Sequence, residues 1–171
     1  MGESGEVWGS FSQLFRNQFL MSALGRPIFV GKHQRNLDSK NRLTIPSKWR
    51  FDGDTEDVYL AFPDPGTGSI HVLPPSRVEK LMELIESQSL SDEDMATLQD
   101  KLFSEAHSFG CDKQGRVNLT EELLEHAGIT KEVMVVGRLT DFRIWSPERW
   151  AGVDPKANND DMGKIMKLAG I

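Results

Sequence analysis

The 171-residue sequence predicts an α+β fold, rich in β-structure, made of two tandem copies of one small unit joined by helices. Three observations predict it. Asp38-Ser-Lys-Asn-Arg42 and Asp112-Lys-Gln-Gly-Arg116 share one Asp-x-x-x-Arg spacing, and each is followed by apolar–polar–apolar alternation, at a shift of 74 residues. Asp57–Phe62 and Ser69–Arg77 recur downstream, in the same order, as Glu132–Gly137 and Asp141–Arg149. Between the copies, the apolar period changes from two to the three-to-four of a helix. Three blocks repeated in one order point to duplication.

Element by element, residues 1–27 form a leader, helical or disordered. Phe11, Leu14, Phe15, Phe19 and Leu24 give it an amphipathic stripe, and Met21 offers an alternative start. The first unit spans 28–77. A short strand enters Asp38–Arg42, which reads as a tight turn because Asn41, like Gly115 at the matching position, tolerates positive φ. A strand, a short helix, a β-stretch over Val58–Phe62 and its hairpin partner Ile70–Leu73 follow, with a Pro- and Gly-rich connection from Pro63 to Gly68. Pro75 stands where a helix begins. Residues 78–106 are linker helices expected to pack on the sheets. Val78, Leu81, Met82, Leu84 and Ile85 make one stripe, and Met95, Leu98, Leu102 and Phe103 make another, capped by Ser91-Asp-Glu-Asp94. The second unit, 107–151, repeats the order. Its helix is marked by an N-cap at Thr120, Glu121 and Glu122 in the first turn, and a stop at Gly128. Val133–Gly137, Phe142–Trp145 and a helix start at Pro147 complete it. Residues 152–171 form a tail, flexible over Ala157–Asp161 and helical from Met162.

Composition narrows the function. With 38% apolar and 27% charged residues the chain is of the soluble globular class, and no apolar run reaches the ~20 residues of a membrane helix. The N-terminus is acidic where a signal peptide is basic, so a cytoplasmic location is expected. Cys111 is the only cysteine and the four histidines show no ligand spacing, so neither a disulfide nor a metal is expected. No cofactor, nucleophilic triad or phosphate-binding glycine loop is legible, so the chain does not read as an enzyme. The net charge is −6, yet Arg26–Arg50 holds seven basic residues against one acid, Asp38. An acidic chain thus contains one concentrated cationic segment, and local potential governs how a polyanion is attracted.

The residues also carry a resemblance. Asp38-Ser-Lys-Asn-Arg-Leu-Thr-Ile-Pro46, Glu125–Gly137 and Phe142–Trp150 resemble the signatures of the MraZ family, over about residues 28–151. That resemblance implies two AbrB-like swapped-hairpin units forming one double-split β-barrel-like domain. It implies a homo-oligomeric ring, commonly an octamer, without membrane or small-molecule substrate. It also implies a nucleoid-associated regulator, expected to be a repressor, that binds short direct repeats in double-stranded DNA upstream of the division and cell-wall gene cluster, its own gene included. The sequence departs from the family pattern at Asn41, where Gly is usual, at the acidic Glu121-Glu122 and in its leader. Two alternatives work mainly through protein partners: an AbrB-like antitoxin and a ring-forming scaffold.

Lysine and arginine neutralise phosphates, and arginine can grip phosphate or guanine with two hydrogen bonds. Arg42 is the first DNA-binding candidate, followed by Lys40, then Lys48 and Arg50, with Lys32 and Arg35 weaker. Arg116, the counterpart of Arg42, and Lys113 in the second turn are further candidates, set against the neighbouring Glu pair. Asp38, Asn41, Asp112 and Gly115 are expected to shape the turns. For both arginines the alternative is an internal ion pair with the aspartate of the same turn. Trp49, Trp145 and Trp150 are assigned to core or subunit contacts rather than to base stacking.

Overall fold

The computed structural model describes residues 27–50, 58–87, 93–153 and 159–171. The leader stripe, Met21, Arg26, the cap at Ser91 and Ala157 lie outside them, whereas Asn159–Asp161, expected to be flexible, belong to a helix that begins at Asn159 rather than Met162.

The elements run β1 (Lys32–Asn36), β2 (Arg42–Thr44), a 3-10 helix (Ser47–Trp49), β3 (Tyr59–Asp64), β4 (Ser69–Leu73), α1 (Pro75–Ser87), α2 (Glu93–Ser104), β5 (His107–Phe109), β6 (Arg116–Asn118), α3 (Glu121–Ala127), β7 (Glu132–Gly137), β8 (Phe142–Trp145), α4 (Pro147–Val153) and α5 (Asn159–Ala169). The fold is α+β with antiparallel pairing throughout. One sheet has six strands in the order β1-β7-β8-β4-β3-β5, and a second is the two-stranded ribbon β2–β6. The larger sheet does not close on itself, because β1 and β5 are its edges and the ribbon is hydrogen-bonded to neither. No closed barrel is formed among the described residues.

The copies exchange strands. β1 of the first copy pairs with β7 of the second, with His33 opposite Val135. β5 of the second copy pairs with β3 of the first, with His107 opposite Ala61. His107 and Val135 are His33 and Ala61 displaced by the repeat shift, so the two registers are equivalent. In the ribbon, Leu43 faces Val117 and both are buried, as are their successors Ile45 and Leu119. These four apolar residues form one wall of a single core. The inward residues of the larger sheet, among them Ala61, Ile70, Val72, Val133, Val135, Phe142 and Ile144, form the other. Burying an aliphatic side chain of this size contributes about 1.5–3 kcal/mol, so each copy's fold depends on apolar surface supplied by the other.

Thr120 caps α3, accepting from the Leu123 amide, and Gly128 closes it in the left-handed conformation at φ 64°. The matching stretch of the first copy differs: the helix expected after the first turn is, among the described residues, a three-residue 3-10 segment. Its side-chain cap is absent because Pro46 stands where Thr120 stands in the second copy. Helix α1 packs on β3 and β4, but Met82 and Leu84 of its stripe are exposed rather than turned to the sheet. Phe103 of α2 meets Phe62 with ring centroids 6.1 Å apart. Trp49 packs on Phe29 and Phe142 in the core, while Trp145 meets Trp150. The longer first-copy connection is held by second-copy arginines. Arg143 pairs with Asp64 at 2.9 Å, and Arg149 donates to the Gly68 and His126 carbonyls at 2.6 Å.

Candidate nucleic-acid interface

The ribbon places its charged residues by strand alternation. Leu43 and Val117 point into the core, so Arg42, Thr44, Arg116 and Asn118 point away from it. Arg42 lies opposite Asn118 and Arg116 opposite Thr44, which puts the two arginines at diagonal positions on one outward face.

Each turn is built around its aspartate. Asp38 Oδ1 accepts the Lys40 and Arg42 amides at 2.9 and 3.0 Å, and its Oδ2 accepts Arg42 Nε at 2.7 Å. Asp112 Oδ1 accepts the Gln114 and Arg116 amides, each at 2.9 Å, and its Oδ2 takes Arg116 Nε at 2.8 Å and Nη2 at 2.7 Å. The backbone closes alike in both turns, with the Asn41 amide donating to Asp38 O and the Gly115 amide to Asp112 O. Asn41 sits at φ 57° and Gly115 at φ 74°, so the Asn for Gly departure keeps the left-handed geometry. The Arg42 backbone N–H leads in holding the Asp38 carboxyl below the usual carboxylate range. The Arg116 side-chain hydrogen bond leads in drawing Asp112 down to about 2. Both aspartates are thus turn-forming carboxylates, and the internal ion pair foreseen as the alternative for each arginine is made. The side chains nonetheless remain 29% exposed at Arg42 and 27% at Arg116, so neither is sealed from solvent by its aspartate.

The surroundings of the two turns are crossed. The Ile45 amide donates to Gly115 O at 2.9 Å, and Arg50 Nε donates to Ile45 O at 2.8 Å. The Arg50 guanidinium lies directly against Gly115, where a Cβ would collide with it. The basic 3-10 segment of the first copy therefore abuts the second turn. The Leu119 amide donates to Asn41 O at 3.1 Å, which brings Thr120 and the acidic start of α3 beside the first turn.

The remaining candidates are spread along this side. Lys40 and Lys113 are exposed at the two turns, and Lys48 is exposed in the 3-10 segment. Arg50 is half-buried, its Nε already committed to Ile45. Lys32 and Arg35 are exposed on β1 at the sheet edge, and Arg35 Nη1 donates to the Gln34 carbonyl at 3.0 Å. The geometry brings Lys40, Arg42, Arg116 and Lys113 onto the ribbon and its turns and sets Lys48 and Arg50 against one end. It does not bring Lys32 and Arg35 onto the ribbon face.

Sequence reading missed His33. Its ring meets Trp49 edge-on at 5.0 Å, and burial followed by the nearby Arg35 and Lys48 charges lowers its pKa from 6.5. The available signal was its position five residues before Asp38, matched by His107 five before Asp112. Among the described residues no group of three or more His, Cys, Asp or Glu is placed to hold a metal ion, and no helix is long and apolar enough to cross a membrane.

A family model described as "MraZ protein, putative antitoxin-like" matches residues 102–164, which include the second turn. Three similar proteins are each named "Transcriptional regulator MraZ". That of Chlorobium limicola is 30% identical, covering 83% of this chain and 96% of the relative. That of Lactobacillus johnsonii is 36% identical over 78% of this chain and 91% of its own length. That of Clostridium acetobutylicum is 33% identical over 81% and 94%.

Proposed function

The chain belongs to the MraZ family, and from that premise we propose that it is a sequence-specific, DNA-binding transcriptional regulator. The names of its relatives support the regulatory role. One observation supports DNA as the ligand: the ribbon presents two aspartate-tethered arginines on one outward face, flanked by exposed lysines. A tethered guanidinium loses little freedom on meeting a phosphate, so more of its interaction survives as affinity.

Residues 28–77 and 107–151 act as two units, and the strand exchange between them is the relation expected of AbrB-like swapped hairpins. The chain works as a ring of identical subunits, an octamer by family resemblance, on short direct repeats in double-stranded DNA. There it represses the division and cell-wall gene cluster that includes its own gene, in the cytoplasm at the nucleoid. Repetition of a modest cationic face around a ring raises its effective concentration at neighbouring repeats, which reconciles binding with a net charge of −6.

The test is a salt titration of the full chain on a duplex taken from upstream of its own gene. Affinity should fall steeply and log-linearly with salt, and Arg42→Ala with Arg116→Ala should abolish the repeat preference. Salt-insensitive binding, or an undiminished double variant, would refute DNA regulation.

A further inference from the structure

The copies differ in charge just after their turns. Pro46-Ser-Lys-Trp-Arg50 of the first is basic, whereas Thr120-Glu-Glu-Leu-Leu124 of the second is acidic. In isolation each segment would bias its own turn, making the first turn the stronger anion site. The hydrogen bonds reverse that assignment. Ile45 N to Gly115 O and Arg50 Nε to Ile45 O hold the basic segment against the second turn. Leu119 N to Asn41 O holds the acidic helix start against the first.

We infer that duplex DNA is gripped chiefly at the second-turn end of the ribbon, by Lys113 and Arg116 of one copy acting with Lys48 of the other, while Lys40 and Arg42 contribute less. This inference rests on the DNA-binding reading and concerns which end of the ribbon dominates it. Charges act over about 8 Å at physiological salt, so a turn feels the groups packed on it more than its own downstream neighbours in the chain. At the first turn the exposed Glu121 and Glu122 repel a phosphate that Arg42 and Lys40 attract. At the second turn, Lys48 adds to Lys113 and Arg116. Arg50 is a positioning residue, because its guanidinium is laid on Gly115 and so fixes the basic segment to the turn. Asp52, Asp54 and Glu56 come after Arg50 in sequence and lie outside the described residues. Measurement on the whole chain includes their effect.

The experiment is fluorescence anisotropy of the full chain on a labelled duplex from upstream of its own gene, at fixed physiological salt. Lys48→Glu and Lys113→Glu should each weaken binding about ten-fold or more, and Lys40→Glu by less than about three-fold. All three side chains are exposed, and the neutral set Lys48→Gln, Lys113→Gln and Lys40→Gln must show the same order. Melting temperatures alongside separate lost contacts from lost folding. A Lys40→Glu effect equal to or larger than the other two overturns this inference while leaving DNA binding intact. Failure of the unaltered chain to bind any duplex overturns the regulator reading and this inference with it.

Discussion

The first and second turns share a backbone and differ in their neighbours. Both fold five residues around an aspartate that accepts two amides and one arginine, and both place a residue at positive φ four positions in. Yet the first turn meets the acidic start of α3 and the second meets Arg50. Local geometry is thus written within the motif. Its electrostatic setting is written in the other copy and delivered by strand exchange.

The sharpest way to break the comparison is at the positive-φ position. Gly115→Ala combines a left-handed strain of about 1–2 kcal/mol with a collision against Arg50, for a loss of about 3 kcal/mol in urea unfolding. Asn41→Ala carries the strain without that collision, so about 1 kcal/mol is expected. Equal losses would mean that Arg50 yields freely and that the turns are not differently packed.

A smaller effect concerns charge. Neutralising the helix start with Glu121→Gln and Glu122→Gln should tighten DNA binding about five-fold, and most of that gain should vanish when Lys40→Ala is added. A gain that survives Lys40→Ala would place the Glu pair away from the first turn's influence.

Acid sharpens the contrast further. Both aspartates have pKa values lowered by folding, so each contributes stability that is complete above the ordinary 3.8 and lost as pH falls through its folded value. For Asp112 that window runs from 3.8 down to about 2. Unfolding tracked across it should show Asp112→Asn removing more of the acid dependence than Asp38→Asn, and the reverse order would contradict the two-pronged grip of Arg116.

The smallest effect separates the two equivalent histidines. His33 is held below its ordinary pKa of 6.5 by burial, Arg35 and Lys48, so an approaching phosphate raises it and binding takes up a proton. Affinity should rise as pH drops from 7 to 6, by less than the ten-fold per unit that bounds linkage to one proton. His33→Gln should flatten that rise and His107→Gln should not. A slope indifferent to His33→Gln would show that no phosphate comes near this residue.

Much of this was legible in the sequence, for identifiable reasons. The Asp-x-x-x-Arg repeat foretells two turns because an aspartate that caps amides four residues ahead acts locally. Thr120 and Gly128 foretell α3 by the same local logic. The strand partners were not legible, because alternation in β1 or β5 fixes which side faces the core and not which distant strand completes the sheet. That one gap explains the placing of Glu121-Glu122 beside Arg116 instead of Asn41, and why the packing of the Arg50 guanidinium, read as a DNA-binding candidate, on Gly115 was not foreseen. The openness of the larger sheet has a related cause. Three-residue β2 and β6 satisfy each other as a pair and leave β1 and β5 at the sheet edges.

The exchange of β1 and β5 also bears on how such a chain folds. β7 and β3 each take their outer neighbour from the other half of the chain, so either half without the other would leave that edge unpaired. Because both halves lie on one chain, that pairing is a first-order event, independent of dilution. It also frees the halves from identity: in one chain the segment after the first turn can be basic and that after the second acidic without a symmetry mate repeating either.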